Sequence, residues 1–337
     1  MTTTAGGAIM LKHHQPSSRQ PKRTPWTMET LVRERALALS NSVDVSTSNS
    51  YGSALNSWLA FIQMHHFPIE PNPDTLSFFI VYMSYHIRPK SVKSYLSGLV
   101  QQLEPDYPSI RAVRTSRIVV KVMKGCMKAR GQAVRRKLPL SFEDLCFVNN
   151  KYLLSRFHND LLFATLLVTG FHGLLRLGEL TFPDNSYLRN WRKVTKRSSL
   201  VILFDQHRYK FFLPGHKADR FFEGNRVLIS SFNSTFDPFP IFSRYLSSRD
   251  RLFPAASPLW LTTAGNVPTR SFFMSRFRKI FPKSFAGASM RAGGATYLAM
   301  LQTPPELIRA VGRWTSEAWE VYIRVHPTLL HALLHHH

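Results

Sequence analysis

Apolar residues in the first half of the chain recur at steps of three and four, which is the pattern of amphipathic helices. One such helix is predicted from Thr47 onward, with one face made of Tyr51, Leu55, Trp58, Leu59 and Ile62. Asn72-Pro73-Asp74 is a typical helix start, and the next helix buries Leu76, Phe79, Ile80 and Met83. A third helix follows Pro89, with Lys90 and Lys93 outside and Val92, Tyr95, Leu96 and Leu99 inside. This half is therefore predicted to be a helical bundle.

The second half mixes helix and strand patterns. It opens with an apolar helix, Leu161–Val168, and continues with short runs of strand formers at Leu200–Phe204, Tyr209–Leu213 and Arg226–Ile229, the first two separated by a turn-like Asp205–Arg208. From Arg270 the pattern is helical again. We expect a mainly α protein with a small β-sheet in an α+β second domain.

Three regions are predicted along the chain. Residues 1–44 are a basic, flexible arm, residues 45–135 the helical domain and residues 136–337 the second domain. The boundary lies at Arg130–Pro139, which contains Gly and Pro and precedes the helix-capping Ser141.

The charge balance indicates a polyanionic partner. The chain has 44 Lys and Arg against 20 Asp and Glu, a formal net charge of +24. Membrane surfaces also attract basic proteins, but no apolar run of about 18 residues, signal peptide or lipidation motif is present, so nucleic acid is favoured over a membrane. Two widely spaced cysteines, Cys126 and Cys146, offer neither a disulfide framework nor a zinc site, which favours a reducing compartment.

A run of basic residues lies near the predicted domain boundary. Residues 111–137 contain ten Lys and Arg and no Asp or Glu. Five of them are spaced to share one helix face opposite Ile118, Val122 and Met123: Arg114, Arg117, Lys121, Lys124 and Lys128. A solvated face is the alternative, but such faces normally mix signs, so a contact with the DNA backbone is favoured. The short basic run Arg19–Arg23 is either a nuclear address or a solvated tail, so the protein is expected in the nucleus if eukaryotic and otherwise in the cytoplasm.

Several chemistries find no support in the sequence. Although there are 14 histidines, no zinc motif or acidic triplet occurs, and there is no phosphate-binding loop. We therefore expect no metal and no cofactor. What remains is phosphoryl chemistry that relies on side-chain cations, a nucleophile and a proton donor.

Three segments of the second half carry residues suited to that chemistry. Thr169–Leu180 contains Arg176 with Glu179 three residues later, Gly287–Thr296 contains Arg291, and Gly312-Arg313-Trp314 is followed by Tyr322 and Arg324. Taken singly, each has a structural alternative: the Arg and Glu can form a purely structural pair, and a Tyr on a helix is usually a core residue.

Together, in this order, the three segments resemble the motifs of tyrosine recombinases, most closely the Cre-like branch and the recombinases of fungal mobile elements. The resemblance covers residues 45–327. It implies a helical core-binding domain and a catalytic domain that form a C-shaped clamp on double-stranded DNA. It also implies a homo-oligomer on DNA, from dimer to tetramer, that carries out site-specific recombination.

The resemblance implies roles for individual residues. Arg176 and Arg291 would clamp the non-bridging phosphate oxygens, and Tyr322 would attack phosphorus to form a 3′-phosphotyrosyl link. Lys217 would protonate the leaving 5′-oxygen, although by itself it is equally an ordinary surface lysine. The expected DNA contacts are Lys90, Lys93, Arg114, Arg117, Lys121, Lys124, Lys128, Arg135, Arg136, Lys137 and Arg276.

Two positions depart from the family pattern. The family has His or Trp nine residues before the nucleophile, where this chain has Arg313; Trp314, one residue later, is the preferred match. The family also has His three residues before the second arginine, where this chain has Ala288. That alanine implies an impaired enzyme, an engineered variant, or a substitute such as His216 or Ser289.

Alternatives for the whole protein follow from these departures. One is a DNA-binding protein of the same fold that has lost its chemistry, and another is a type IB topoisomerase-like enzyme. The final apolar stretch, Leu329–Leu334, would dock either on a neighbouring protomer or on its own chain.

Overall fold

The computed structural model describes residues 24–40, 45–133, 136–215, 219, 223–232 and 235–314. The chain divides into two compact units, Met1–Gln132 and Ala133–His337.

Unit 1 is a bundle of α-helices in the part that the structure describes. The helices are α1 Met28–Ser40, α2 Val45–His65, α3 Pro73–His86, α4 Pro89–Leu103, α5 Ile110–Thr115 and α6 Arg117–Arg130. Helix α2 packs on α4 and helix α3 packs on α6. The core is centred on Trp58, whose buried ring meets Phe79 edge to face at 5.4 Å between centroids. The three predicted helices are confirmed.

The start of α3 is fixed by local hydrogen bonds, which is why its sequence predicts it. The Asn72 side chain accepts hydrogen bonds from the backbone of Asp74 and Thr75, and the Thr75 hydroxyl accepts one from the Asn72 backbone. Pro73 occupies the first turn, where its missing N–H costs nothing.

Unit 1 differs from the sequence patterns in two places. The predicted basic arm contains helix α1, whose apolar side chains, such as Leu31 and Leu39, are exposed; without a buried face, no apolar period announces it. The single basic face is interrupted, because the chain leaves the helical conformation at Ser116 and Arg114 belongs to the separate helix α5. Ile118 is exposed, and the inward face of α6 consists of Val119, Val122, Met123 and Cys126.

Unit 2 surrounds one buried helix. Its α-helices are α7 Phe142–Tyr152, α8 His158–His172, α9 Leu177–Leu180, α10 Phe239–Leu252, α11 Arg270–Phe277, α12 Ser289–Met300 and α13 Pro305–Gly312. Every residue of α8 from Leu161 to His172 is buried, and α7, α10 and α12 pack around it. The predicted apolar segment is thus the centre of a longer helix that includes the start of the first motif.

A small antiparallel sheet adjoins these helices, as predicted. Its strands, in the order β1-β2-β3, are β1 Val201–Leu203, β2 Arg208–Leu213 and β3 Asn225–Ile229. Tyr209, Phe211 and Leu213 alternate into the core, which fixes the register of β2. Arg208, predicted in the turn, belongs to β2, and the turn is a 3-10 helix that ends at His207 in the left-handed conformation. None of the described helices is long and apolar enough to span a membrane.

His172, at the end of α8, makes unit 2 sensitive to acid. Its Nδ1 donates to the Val168 carbonyl at 3.0 Å, and its ring packs on Phe232 and Phe236. Burial lowers the pKa of His172 to about 4. An unfolded histidine has a pKa near 6.5, so the unfolded chain takes up a proton first as the pH falls.

We therefore expect His172 to remove stability from the folded state progressively from about pH 6.5 down to about 4. The loss by pH 5 is about 2 kcal/mol relative to pH 7.5. His172→Phe keeps an aromatic ring but cannot be protonated, so its free energy of unfolding falls less steeply with acid. Urea unfolding of both proteins across this pH range measures the difference; parallel curves would contradict the assignment.

Candidate active site

The turn that follows α8 is the meeting point of the three sequence motifs. Residues Gly173 to Leu175 lead from α8 to α9, and Leu174 adopts a positive φ of 47° that a branched residue rarely accepts. Gly173 N–H donates to Thr169 and Leu175 N–H to Gly170, which hold the turn against the helix end. The Gly173 and Leu174 carbonyls are thereby held in place as acceptors.

Arg176 and Glu179 form the first pair of the site. Arg176 is the N-cap of α9, and its backbone N–H donates to Glu179 Oε2 at 2.9 Å while its Nη1 donates to Oε1 at 3.0 Å. The Arg176 side chain is 33% exposed, whereas that of Glu179 is 6% exposed. Glu179 therefore orients the guanidinium from behind and leaves part of it open to solvent.

Arg291, on α12, reaches the same turn. Its Nη1 donates to the Leu174 carbonyl and its Nη2 to the Gly312 carbonyl, each at 2.6 Å. The residue is 2% exposed, and the Trp314 ring lies over its guanidinium at 4.1 Å from the ring centroid. The second and third motifs thus meet at Arg291.

Arg313 brings a third cation to the same turn. It ends α13 in the left-handed conformation with φ 55°, and its guanidinium donates to the Gly173 and Leu174 carbonyls at 3.2–3.3 Å. Its Nη2 lies 3.6 Å from Glu179 Oε2, and its side chain is 8% exposed. Burial lowers the pKa of Arg313, while the Glu179 carboxylate opposes that shift.

Glycines let the second motif come this close. A Cβ on Gly294 would lie 2.1 Å from the Phe171 carbonyl oxygen and 2.5 Å from Leu174 Cδ2, and one on Gly293 would lie 2.2 Å from the Leu140 carbonyl oxygen. Since backbone atoms would have to move, no side chain fits at either position. The Gly-Gly pair therefore allows α12 to deliver Arg291 against the turn.

We expect Gly294→Ala to destabilise unit 2 by about 1–3 kcal/mol, because overpacking would force α12 away from α8. The matched control is Gly178→Ala, since a Cβ there meets nothing within 4 Å. Thermal unfolding of the two variants measures the difference. Equal melting temperatures would show that α12 does not need the close approach.

Some of the other predicted site residues lie within the part of the chain that the structure describes, and some do not. Lys217, His216, Tyr322, Arg324 and the stretch Leu329–Leu334 lie outside the described residues, as does Arg135. Ala288 is exposed at the start of α12. Ser289, one of the two suggested substitutes for the missing histidine, is buried, and its hydroxyl accepts a hydrogen bond from the Ala286 backbone. It is therefore not available to a substrate in this conformation.

The predicted DNA contacts lie in several places. Lys90 and Lys93 are exposed on α4, and the exposed face of α6 carries Arg117, Lys121, Lys124 and Lys128. Arg114 is partly buried and donates to the Ser97 hydroxyl. In unit 2, Arg136 and Lys137 are exposed, Lys137 donates to the Lys283 carbonyl, and the Arg276 guanidinium stacks on Phe272 at 4.1 Å.

Sequence reasoning missed how the site is assembled. Arg313 was a secondary choice to Trp314, yet in the structure Arg313 contacts Glu179 and the turn carbonyls, while Trp314 contacts Arg291. The Gly312 position explains the fold-back of Trp314, because a Cβ there would overlap its ring. Across the described ranges, no group of three or more His, Cys, Asp or Glu side chains is placed to hold a metal ion.

The structure was compared with known proteins to find which ones share its fold. No protein-family model and no curated protein matches the sequence. Among solved structures, a lambda integrase fragment, a dimer bound to a COC′ core site, aligns with a TM-score of 0.55 at 14% identity over 88% of this chain and 94% of that chain. A lambda integrase tetramer bound to a Holliday junction gives 0.52 at 14% identity over 88% and 78%. A Tn1549 transposon integrase fragment in complex with a circular intermediate DNA gives 0.50 at 12% identity over 86% and 98%.

At these identities the likeness establishes the fold. The chain has the fold of tyrosine recombinases, a mainly helical architecture with a small sheet, which the ordered motifs predicted.

Proposed function

We propose that this protein is a site-specific DNA recombinase that breaks and rejoins strands through a phosphotyrosyl link on Tyr322. The observation that carries the proposal is the convergence of Arg176, Arg291 and Arg313 on one turn. They come from three motifs far apart in sequence, and Arg291 and Arg313 both donate to the Leu174 carbonyl. Such a cluster suits an anionic transition state, because fixed cations stabilise charge as it develops on phosphate oxygens.

The proposed reaction conserves the phosphodiester bond energy. The Tyr322 oxygen attacks phosphorus and loses its proton, the bond from phosphorus to the 5′-oxygen breaks, and Lys217 gives that oxygen a proton. The result is a 3′-phosphotyrosyl link and a free 5′-hydroxyl. When a 5′-hydroxyl of another strand attacks the link, the reverse steps rejoin the DNA, so no nucleotide hydrolysis is needed.

The three arginines would not contribute equally. Arg176 is the most exposed, and Glu179 holds its fork in one plane, so it would meet the scissile phosphate first. Arg291 is covered by the Trp314 ring, so its direct contact with phosphate requires that ring to move. Arg313 is nearly buried against Glu179 and would support the cluster from behind.

The charged surfaces favour double-stranded DNA as the partner. Lys121, Lys124 and Lys128 and the other exposed cations of unit 1 would neutralise backbone phosphates, which gives strong binding at low salt. We propose that residues 45–135 form the core-binding domain, that residues 136–337 form the catalytic domain, and that the protein acts as a homo-oligomer on DNA. A role in a mobile element remains a prediction from the motifs.

The experiment that tests this function must first find the DNA sequence at which the protein cleaves. Nicked duplexes from a randomised pool are incubated with the protein, and SDS-resistant adducts are sequenced to obtain the preferred site. A supercoiled plasmid with two copies of that site should then yield deletion or inversion products. Site-independent relaxation without exchange would favour the topoisomerase alternative, and tight binding without any adduct would favour the non-catalytic one.

Ala288 gives a separate prediction. A histidine there would add a proton-transfer group, which is worth about 10²–10⁴ in rate where it is well placed. Because Ala288 is exposed, a larger side chain fits without repacking the core. We expect Ala288→His to increase the single-turnover rate of adduct formation by about tenfold or more, whereas Ala288→Phe should not. An unchanged rate in both would indicate that another group already fills the role.

A further inference from the structure

An open groove with basic and aromatic walls lies in unit 2, and none of the three arginines of the cluster lines it. Its volume is about 730 Å³, within the roughly 300–1,000 Å³ of sites that hold small organic groups. One wall comes from the segment after α9, with Trp191, Arg192 and Lys196, and Phe212, Pro214 and Pro258 contribute apolar surface. The residues that line this groove include no acid.

The wall is held by hydrogen bonds from backbone N–H groups to side-chain and carbonyl oxygens. Asn190 Oδ1 accepts from the Arg192 backbone, and Arg197 N–H donates to the Ser257 carbonyl at 2.7 Å. The Ser199 hydroxyl accepts from Phe212 N–H, which ties the wall to strand β2. The groove is therefore preformed, and a ligand would not have to order it.

The side chains on the rim are available to a ligand. Trp191 is 66% exposed, and its ring meets the Phe182 ring edge to face at 5.1 Å. Arg192 and Lys196 are exposed, and no carboxylate within the described ranges pairs with either. A large exposed indole beside two free cations is the combination that binds a nucleotide, because the indole stacks on the base and the cations bind the phosphates.

We propose that this groove binds an unpaired nucleotide of the DNA substrate, with the base against Trp191 and Phe212 and the phosphates on Arg192 and Lys196. The inference deepens the proposed function and rests on it. Strand exchange requires bases next to the break to leave their duplex before they pair again. Pro214, which lines the groove, precedes the proposed acid Lys217 by three residues in the sequence.

The test measures binding and does not depend on cleavage. Affinities of the full chain are compared for a fully paired duplex and for the same duplex with a short gap that leaves thymidines unpaired, one of them replaced by 2-aminopurine. The wild type should favour the gapped duplex by about five- to 150-fold, since one stacked base contributes about 1–3 kcal/mol. Stacking on Trp191 should also quench the 2-aminopurine fluorescence.

Variants assign the effect to the groove. Trp191→Ala should lose both the preference and the quenching while its melting temperature and its affinity for paired DNA stay unchanged. Tyr187→Ala is the matched control, because Tyr187 is 91% exposed in the same segment but does not line the groove. Arg192→Gln with Lys196→Gln should make the salt dependence of binding to the gapped duplex shallower by about 1.4 in slope.

Three results would overturn the proposal. The first is a wild-type protein with no preference for the gapped duplex. The second is an equal loss of affinity for both duplexes in Trp191→Ala, which would make the groove a contact for paired DNA. The third is a Trp191→Ala variant that changes its oligomeric state but not its DNA preference, which would make the groove a protein contact. If the proposed recombinase chemistry is wrong, the adduct assay will show it. The binding measurements can still be interpreted, because they do not depend on cleavage.

Discussion

Tyr322→Phe is expected to abolish covalent protein–DNA adducts. Phenylalanine keeps the ring but has no oxygen to attack phosphorus, so no phosphotyrosyl link can form. DNA affinity should remain within about twofold of the wild type, because the proposed phosphate contacts are cations other than Tyr322. The measurement is the adduct yield on nicked duplexes, together with the dissociation constant from the same preparation.

Tyr187→Phe is the matched control for this variant. It removes a phenol oxygen from an exposed tyrosine of the same unit and should leave adduct formation unchanged. Residual adducts in Tyr322→Phe at more than a trace would mean that another residue is the nucleophile.

Arg176→Ala has the second largest expected effect. Removal of one fixed donor to a developing oxyanion costs about 10²–10³ in rate, and arginines that stabilise phosphoryl transfer contribute about 10³–10⁵. We expect the single-turnover rate of adduct formation to fall by about 10³. Because the Arg176 side chain is partly exposed and its guanidinium pairs with Glu179 three residues away, its loss should affect stability much less than activity.

Arg176→Lys separates charge from geometry. Lysine keeps the positive charge but lacks the planar fork, so it should recover part of the rate and remain well below the wild type. Arg251→Ala, a change at an exposed arginine at the end of α10, should be close to neutral. A rate for Arg176→Ala within about threefold of the wild type would remove Arg176 from the proposed chemistry.

Much of the fold could be predicted because the patterns that set its helices and strands involve residues close together in the sequence. The capping box at Asn72, the apolar face around Trp58 and the alternation of Tyr209, Phe211 and Leu213 each depend on near neighbours in sequence. Helix α1 was not predicted because its apolar residues are exposed and are not spaced along one buried face. The break at Ser116 was not predicted either, since the three- and four-residue spacing of the basic residues continues across it.

In the candidate site, the residues could be predicted from the sequence but most of their contacts could not. Arg176, Arg291 and Arg313 were identified from ordered motifs, and the i to i+3 pairing of Arg176 with Glu179 followed from helix geometry. The convergence of Arg291 and Arg313 on the Gly173 and Leu174 carbonyls is a long-range property, and no spacing within the chain encodes it. The same is true of the Gly294 contact with Phe171, which becomes visible only when α12 lies against α8.

Identification of the residue that is linked to DNA tests most directly whether Tyr322 is the nucleophile. A trapped complex is digested with nuclease and trypsin, and mass spectrometry locates the nucleotide that remains on the peptide. We predict a nucleotide joined through its 3′-phosphate to the Tyr322 oxygen. A nucleotide on any other residue, or a 5′-phosphate linkage, would contradict it.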